Sequence, residues 1–301
     1  MAENLGDLVT ERRRPELAEL DLMDTGELVR LMALEEARVP EAVARQTPQI
    51  AAAVDAVADR LRSGGRLVYV GAGTAGRMGV LDAVECGPTF GVGPDRVVGV
   101  LAGGREAMFG PRESAEDSAE TGSSDLARLD VGPEDAVVGV SASGRTPYTL
   151  GAVRYARERG ALTVGLSCNP GARLSGLVDH PIEVVVGPEI LAGSTRLKAG
   201  TAQKLVLNMI STISMVRLGK TYGNLMVDVR ASNVKLRERA RRIVELATSA
   251  EPEEAAAALD RCGGEARVAI VALLLDVGPD EARRRLAAGS VRDALRGEGA
   301  T

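Results

Sequence analysis

Apolar positions recur along this chain with two different periods, and the change from one to the other marks out its elements. Short apolar runs at Leu67–Val70, Arg96–Leu101, Val137–Val140, Ala161–Ser167 and Ile182–Val186 have the length and β-branched content of buried strands. Around them, apolar residues return every three or four positions, which is the spacing of an amphipathic helix. One helix is expected from a cap at Asp24 or Thr25, carrying Leu28, Leu31, Met32 and Leu34 and ending before Pro40. A second runs from about Pro40 through Arg62, with Ile50, Val54, Val57 and Leu61 on one side and Ser63-Gly64-Gly65 as its stop. Further helices follow the first strand and Pro147, the latter carrying Leu150, Val153 and Tyr155 and ending at Gly160. This alternation from Leu67 to about Gly187 predicts an α/β fold, a parallel sheet with helices on both faces.

Beyond the sheet, a helix opens within Gly187–Lys204 and reaches about Leu218, and another spans Ser232 to about Leu246. Three short helices follow at Glu253–Leu259, Glu265–Leu275 and Pro279–Ala287. The expected organisation is an N-terminal arm and helices over 1–56 and a ligand-binding α/β domain over 57–222. A connecting helical segment over 223–249 and a small three-helix module over 250–301 complete it.

Two strands empty into small-residue loops. The first gives Gly71-Ala72-Gly73-Thr74-Ala75-Gly76-Arg77, and the third gives Ser141-Ala142-Ser143-Gly144-Arg145-Thr146. Overlaid, Gly71 matches Gly139, Gly76 matches Gly144 and Arg77 matches Arg145. Glycines let backbone approach a ligand, and the amides that start the following helix attract an anion. The first loop also fits a dinucleotide fingerprint, but that reading needs an acid at the end of the second strand, where Ala102-Gly103-Gly104-Arg105 stands. In the second loop Ser141, Ser143 and Thr146 offer a phosphate neutral donors. Glu85, late in the first helix, can supply chemistry, whereas the acidic run containing Glu113, Glu116, Asp117 and Glu120 reads by itself as a solvated face. Glu189, Arg196, Lys198 and Lys204 cluster where a helix begins. Cations there oppose the helix dipole, which marks the segment as a contact for an anionic substrate.

Composition removes other classes. A net charge of −5 argues against a nucleic-acid grip, and 2% aromatic content leaves no base-stacking platform. Arg12-Arg13-Arg14 reads as a solvated arm. Three well-separated cysteines suit a reducing compartment without a disulfide framework, and a single histidine, His180, reads as a loop residue before Pro181 and offers no zinc pattern. The first residues are too polar for a signal peptide, and no apolar run is long enough to span a membrane, so a cytoplasmic location is expected.

The stretches GAGTAGRMGVLDAVECGPTFG (71–91), AEDS (115–118), GVSASGRTPY (139–148), SCNPG (167–171), GSTRLKAGTAQKLVLNM (193–209) and GNLMVDVRASNVKLR (223–237) resemble the N-acetylmuramic acid 6-phosphate etherase family of the sugar isomerase (SIS) superfamily. Ala75, Val84 and Gly87 depart from the family pattern without touching its acids. The resemblance implies an SIS-type sheet and cleavage of a lactyl ether by elimination and hydration, with no metal and no cofactor. It implies that Glu85 protonates the departing lactate and that Glu116 is the second catalytic acid, the base at C2. Gly73 and Thr74 would face the sugar, Ser141, Ser143, Gly144 and Thr146 the phosphate, and Arg196 or Lys198 the lactyl carboxylate. The expected partner is a phosphosugar, with a homodimer sharing its sites and neither nucleic acid nor membrane. A phosphosugar-sensing regulator or a phosphosugar isomerase on the same fold is the alternative.

Overall fold

In the computed structural model, which describes residues 6, 8–110, 112–229, 234–287 and 289–297, three short 3-10 turns and then three α-helices precede the first strand. They are α1 (Thr25–Glu36), α2 (Val39–Ala44) and α3 (Thr47–Arg62). The Asp24 carboxylate accepts from the Glu27 amide at 2.8 Å while the Glu27 side chain accepts from the Asp24 amide at 3.1 Å, a reciprocal cap for α1. The single helix expected from Pro40 through Arg62 is in fact two. Pro48 has no amide to give the preceding turn and so fits only the first turn of a new helix, where Thr47 also donates its hydroxyl to the Ala44 carbonyl at 2.7 Å. On α1 the expected apolar face is reversed in part: Val29, Met32 and Leu34 are exposed, while Glu35 is buried.

The chain divides into two compact units, Met1–Val84 with Asp95–Ser211 and Glu85–Pro94 with Thr212–Thr301. The first contains the sheet, built from β1 (Leu67–Gly71), β2 (Val97–Leu101), β3 (Ala136–Val140), β4 (Leu162–Ser167) and β5 (His180–Glu183). The strands are all parallel and lie in the order β2-β1-β3-β4-β5. α4 (Gly73–Phe90) follows β1, α5 (Ala119–Arg128) precedes β3, α6 (Pro147–Glu158) joins β3 to β4, and α7 (Lys198–Arg217) follows β5. His180 opens the edge strand β5 and is not the loop residue expected, because Pro181 lacks an amide and is tolerated in a strand only at an edge such as this. The helix expected within Gly187–Lys204 begins at Lys198, which leaves 187–197 as a loop.

One sheet face presents Val68, Val70 and Val137, buried with Leu126 of α5 and Leu150 and Val153 of α6. Burying each such aliphatic side chain stabilises by about 1.5–3 kcal/mol. On the opposite face the Tyr69 hydroxyl donates to Asp82 of α4 at 2.8 Å and lies 3.4 Å from the Leu207 carbonyl of α7. Asp82 also accepts from Asn208 and Ser211, so this buried carboxylate is held from both β1 and α7. Helices therefore cover both faces, as the alternation predicts.

The second unit is helical, with α8 (Val234–Thr248), α9 (Pro252–Arg261), α10 (Ala266–Leu275), α11 (Pro279–Leu286) and α12 (Val291–Arg296). Val244, Leu259, Val268, Ile270, Val271 and Val291 are buried together in its own core. α12 is a helix beyond the three expected there; it begins at a Ser290/Asp293 capping box. The helix expected from Ser232 is described from Val234, and residues 230–233, part of the stretch 223–237, lie outside the described residues. Among the described residues no helix is long and apolar enough to cross a membrane, and no cluster of three or more His, Cys, Asp or Glu could hold a metal ion.

Candidate active site

Strand order places the site. The chain leaves β1 toward β2 on one side and reaches β3 on the other, so the connections after β1 and β3 diverge and open a crevice between their carboxyl ends. Open α/β sheets bind ligands at such a switch point. Gly71 pairs with Val140 there, and Gly139 pairs with Val70, so the overlay of Gly71 on Gly139 is displaced by one residue in space.

The two loops differ in construction. After β1 only Ala72 separates strand from helix, and Gly73 starts α4 in the left-handed region at φ 54°. Gly76 therefore lies in the first turn of α4, where a Cβ would stand 2.4 Å from the Gly71 carbonyl oxygen; its role is close helix–strand packing. Thr74 lies next to Gly200 near the start of α7, its methyl 3.5 Å from where a Gly200 Cβ would stand.

After β3 the chain makes a true six-residue loop, Ser141–Thr146. The Ser141 hydroxyl lies 2.9 Å from that of Thr146 and 3.3 Å from that of Ser143. It also accepts from the Gly144 amide at 3.1 Å, and the Ser143 hydroxyl accepts from the Arg145 amide at 3.1 Å. Thr146 bonds to Ser141 and no side chain caps α6, whose first residue, Pro147, has no amide and whose next two, Tyr148 and Thr149, are fully buried. Gly144 has φ 65°, and a Cβ there would meet that of Ala172 at 2.4 Å. Gly144→Ala should therefore cost about 1–3 kcal/mol of strain and raise KM for a phosphorylated ligand more than it lowers kcat, which denaturation and steady-state kinetics would check.

Glu116 ends a 3-10 turn, Glu113–Glu116, between β2 and α5 and is exposed. Its neighbour Ala115 packs beside Gly103, just past the end of β2, and against the cluster holding Ala72 and Tyr148. Arg77, which the overlay matched with a loop residue, instead donates from α4 to the Ala107 carbonyl at 2.9 Å and the Gly110 carbonyl at 3.3 Å. It thereby holds the connection that leads to Glu116. Glu85 is exposed on the last turns of α4, within the second compact unit, and its carbonyl accepts from the Thr89 hydroxyl at 2.8 Å.

The segment before α7 resolves the conflict with the helix dipole. The Glu189 carboxylate, 1% exposed, accepts from the Lys198 amide at 3.1 Å and the Ala199 amide at 2.9 Å, so an anion does occupy that N-terminus. Burial raises the Glu189 pKa against these two amides, which lower it. The Lys198 ammonium is buried and donates to Glu35 at 2.6 Å and to the Pro188 carbonyl at 2.7 Å. Arg196 is exposed.

Sequence reading missed the support given by the N-terminal arm. Thr10 is fully buried: its hydroxyl accepts from Asn169 Nδ2 at 3.0 Å, and its carbonyl accepts from the Gly193 amide at 3.2 Å. Asn169 Nδ2 also donates to the Ala142 carbonyl at 3.0 Å, which ties arm to serine loop. Arg14 is not solvated, as the Arg12-Arg13-Arg14 reading expected; it lies 2.9 Å from Glu35 and 2.8 Å from Glu16. An aperiodic arm carries no pattern from which such burial could be read. The buried Cys168 thiol, pushed up to about 12 by burial, stays protonated and acts as packing.

Residues 49–157 match the family described as the glucokinase regulatory protein N-terminal SIS domain, and residues 117–213 match the SIS domain. The N-acetylmuramic acid 6-phosphate etherase of Rubrobacter xylanophilus is 86% identical over 299 residues, 99% of each chain. That of Streptomyces avermitilis is 65% identical over 280 residues, 93% of this chain and 90% of its own. Among solved structures, a phosphoheptose isomerase from Neisseria gonorrhoeae aligns with a TM-score of 0.49 and 16% identity over 64% of this chain and 98% of its own.

Proposed function

This chain belongs to the N-acetylmuramic acid 6-phosphate etherase family, and from that premise we propose how its own residues carry out the reaction. The 6-phosphate binds at Ser141, Ser143, Gly144 and Thr146, and Gly73 and Thr74 face the sugar. In the ring-opened substrate the C2 proton is acidic because the C1 aldehyde stabilises the carbanion. Glu116 takes that proton. The electron pair forms a C2–C3 double bond, the C3–O bond breaks, and Glu85 protonates the departing lactate oxygen. Water then adds its oxygen to C3 and a proton returns to C2, giving N-acetylglucosamine 6-phosphate and D-lactate. Two carboxylates suffice for these proton transfers, with no metal or redox cofactor. Arg196 is the cation we assign to the lactyl carboxylate, since the Lys198 ammonium is engaged by Glu35 and Pro188. The reading extends to a cytoplasmic homodimer with shared sites, acting in the recovery of cell-wall amino sugars.

The observation that supports this reading most is the linked hydroxyl cluster of Ser141, Ser143 and Thr146 at the β1/β3 switch point. Incubation with N-acetylmuramic acid 6-phosphate should release D-lactate and N-acetylglucosamine 6-phosphate in equal amounts, read by a coupled lactate assay. Phosphosugar binding without lactate release would instead make the protein a sensor on the same fold.

A further inference from the structure

The turn that follows β4 underpins the serine loop, and it reaches two of that loop's carbonyls. The Cys168 amide and Asn169 Nδ2 each donate to the Ala142 carbonyl at 3.0 Å, and the Leu174 amide donates to the Gly144 carbonyl at 3.0 Å. The turn is itself fastened, since the Glu183 carboxylate of β5 accepts from the Gly171 and Ala172 amides, both at 3.0 Å. Peptide bonds here are trans and planar, so the direction of each carbonyl sets the next amide pointing the opposite way. With the Ala142 carbonyl turned onto Cys168 and Asn169, the Ser143 amide points away from the turn. With the Gly144 carbonyl turned onto Leu174, the Arg145 amide does the same and meets the Ser143 hydroxyl at 3.1 Å. Ser143 is part-exposed, so a ligand can reach the residue that these bonds orient.

Asn169 commits its whole amide to this task. It is 2% exposed, and Nδ2 gives its two hydrogens to the Ala142 carbonyl and to the Thr10 hydroxyl, the latter at 3.0 Å. Oδ1 accepts from the Thr10 amide at 3.4 Å. Exchanging the two ends would set Nδ2 against the Thr10 amide and Oδ1 against the Ala142 carbonyl, donor on donor and acceptor on acceptor. Thr10 therefore selects which end of Asn169 faces the serine loop. It lies 159 positions away, is fully buried, and is held from its other side by the Gly193 amide, which donates to its carbonyl at 3.2 Å.

We propose that Asn169 is a positioning residue for the reaction, anchored by Thr10 of the N-terminal arm. Together they hold the Ala142–Ser143 peptide so that the Ser143 amide and hydroxyl meet the 6-phosphate, a role that rests on the phosphate contacts proposed above. Both side chains are buried behind the loop and act through Ser143, so their loss falls on affinity for the phosphate and not on proton transfer at C2 or C3.

Three variants of the full chain test this: Asn169→Ala, Thr10→Val, which keeps the shape and removes the hydroxyl, and Thr10→Ser, which keeps the hydroxyl. Asn169→Ala should raise KM for N-acetylmuramic acid 6-phosphate by about tenfold, the loss expected for one misaligned charge-assisted hydrogen bond, and leave kcat within about twofold. Thr10→Val should raise KM by about threefold or more, and Thr10→Ser should restore it. A residue that only stabilised the fold would lower the active fraction, and so the apparent kcat, without moving KM. Reduced kcat at unchanged KM in Asn169→Ala and Thr10→Val, or a Thr10→Ser as impaired as Thr10→Val, would overturn the proposal. If Asn169→Ala fails to fold, the Thr10 pair settles the question. Titration calorimetry with N-acetylglucosamine 6-phosphate reads the phosphate site without turnover, and its Kd should rise in the same ratio as KM. A Kd raised in the variants of a chain that releases no lactate would uphold the positioning role and remove only the etherase reading. Lactate release with KM and Kd unchanged in the variants would do the reverse.

Discussion

Replacing Glu85 or Glu116 by glutamine should each lower kcat for D-lactate release by about 10²–10⁴, the range for losing one positioned acid–base group. Glutamine keeps the size and most of the hydrogen bonding of glutamate but can neither take the C2 proton nor give one to the leaving oxygen. KM should therefore move little, since the phosphate contacts proposed above lie at Ser141, Ser143 and Thr146. Deuterium oxide separates the two roles. With Glu85→Gln the base remains, so C2 of the substrate should still exchange its proton for solvent deuterium, seen by proton NMR, while lactate stays bound in the ether. With Glu116→Gln both exchange and lactate release should stop. Exchange that survives in Glu116→Gln and stops in Glu85→Gln would reverse the assignment; unchanged kcat in either variant would remove that residue from the mechanism.

The parts of the fold that sequence made legible are those set by local rules. The central strands β1, β3 and β4 announce themselves as apolar runs because both of their faces are buried, whereas the edge strand lies at His180–Glu183 and not at the expected Ile182–Val186, since an edge tolerates polar residues and proline; the Asp24 cap is written in the residues that make it. The serine loop is legible for the same reason, since hydroxyls and glycine at fixed offsets suit one task. What escaped reading depends on neighbours distant in sequence. Glu35 interrupts an apolar spacing and reads as a surface acid until Lys198, 163 positions away, is brought against it. The opposition of Lys198 to the helix dipole was a sound signal, but it pointed to an internal carboxylate at Glu189 as well as to any ligand. Arg77 shows the limit of overlaying two loops: similar residues follow β1 and β3, yet one loop is six residues long and the other a single residue, so matched side chains do different work.

Glu35→Ala should destabilise the protein by about 3–5 kcal/mol, the cost of leaving a buried charge without its partner. Both side chains of the Glu35–Lys198 pair are nearly solvent-free, at 4% and 3% exposure, so the stranded ammonium could reach only the Pro188 carbonyl. Guanidinium denaturation at pH 7 would read the loss. Replacing both partners by apolar residues of similar volume, Glu35→Leu with Lys198→Met, should recover most of it, because the desolvation of two charges is then no longer required. Only an intact helix start would explain such recovery, since Glu189 and not Lys198 provides the α7 cap. The pair also carries a pH signature. Burial works to raise the Glu35 pKa, but hydrogen bonds from Lys198 and Arg14 outweigh it and hold the carboxyl below its ordinary value. A carboxylate depressed in the folded state contributes stability above its unfolded pKa, about 4.3, and loses it as pH falls through the lower folded value. The stability gap between wild type and Glu35→Gln should accordingly be widest near neutrality and narrow below about pH 4. A gap that stays constant from pH 7 to pH 3 would mean that Glu35 stabilises through packing and not through its charge.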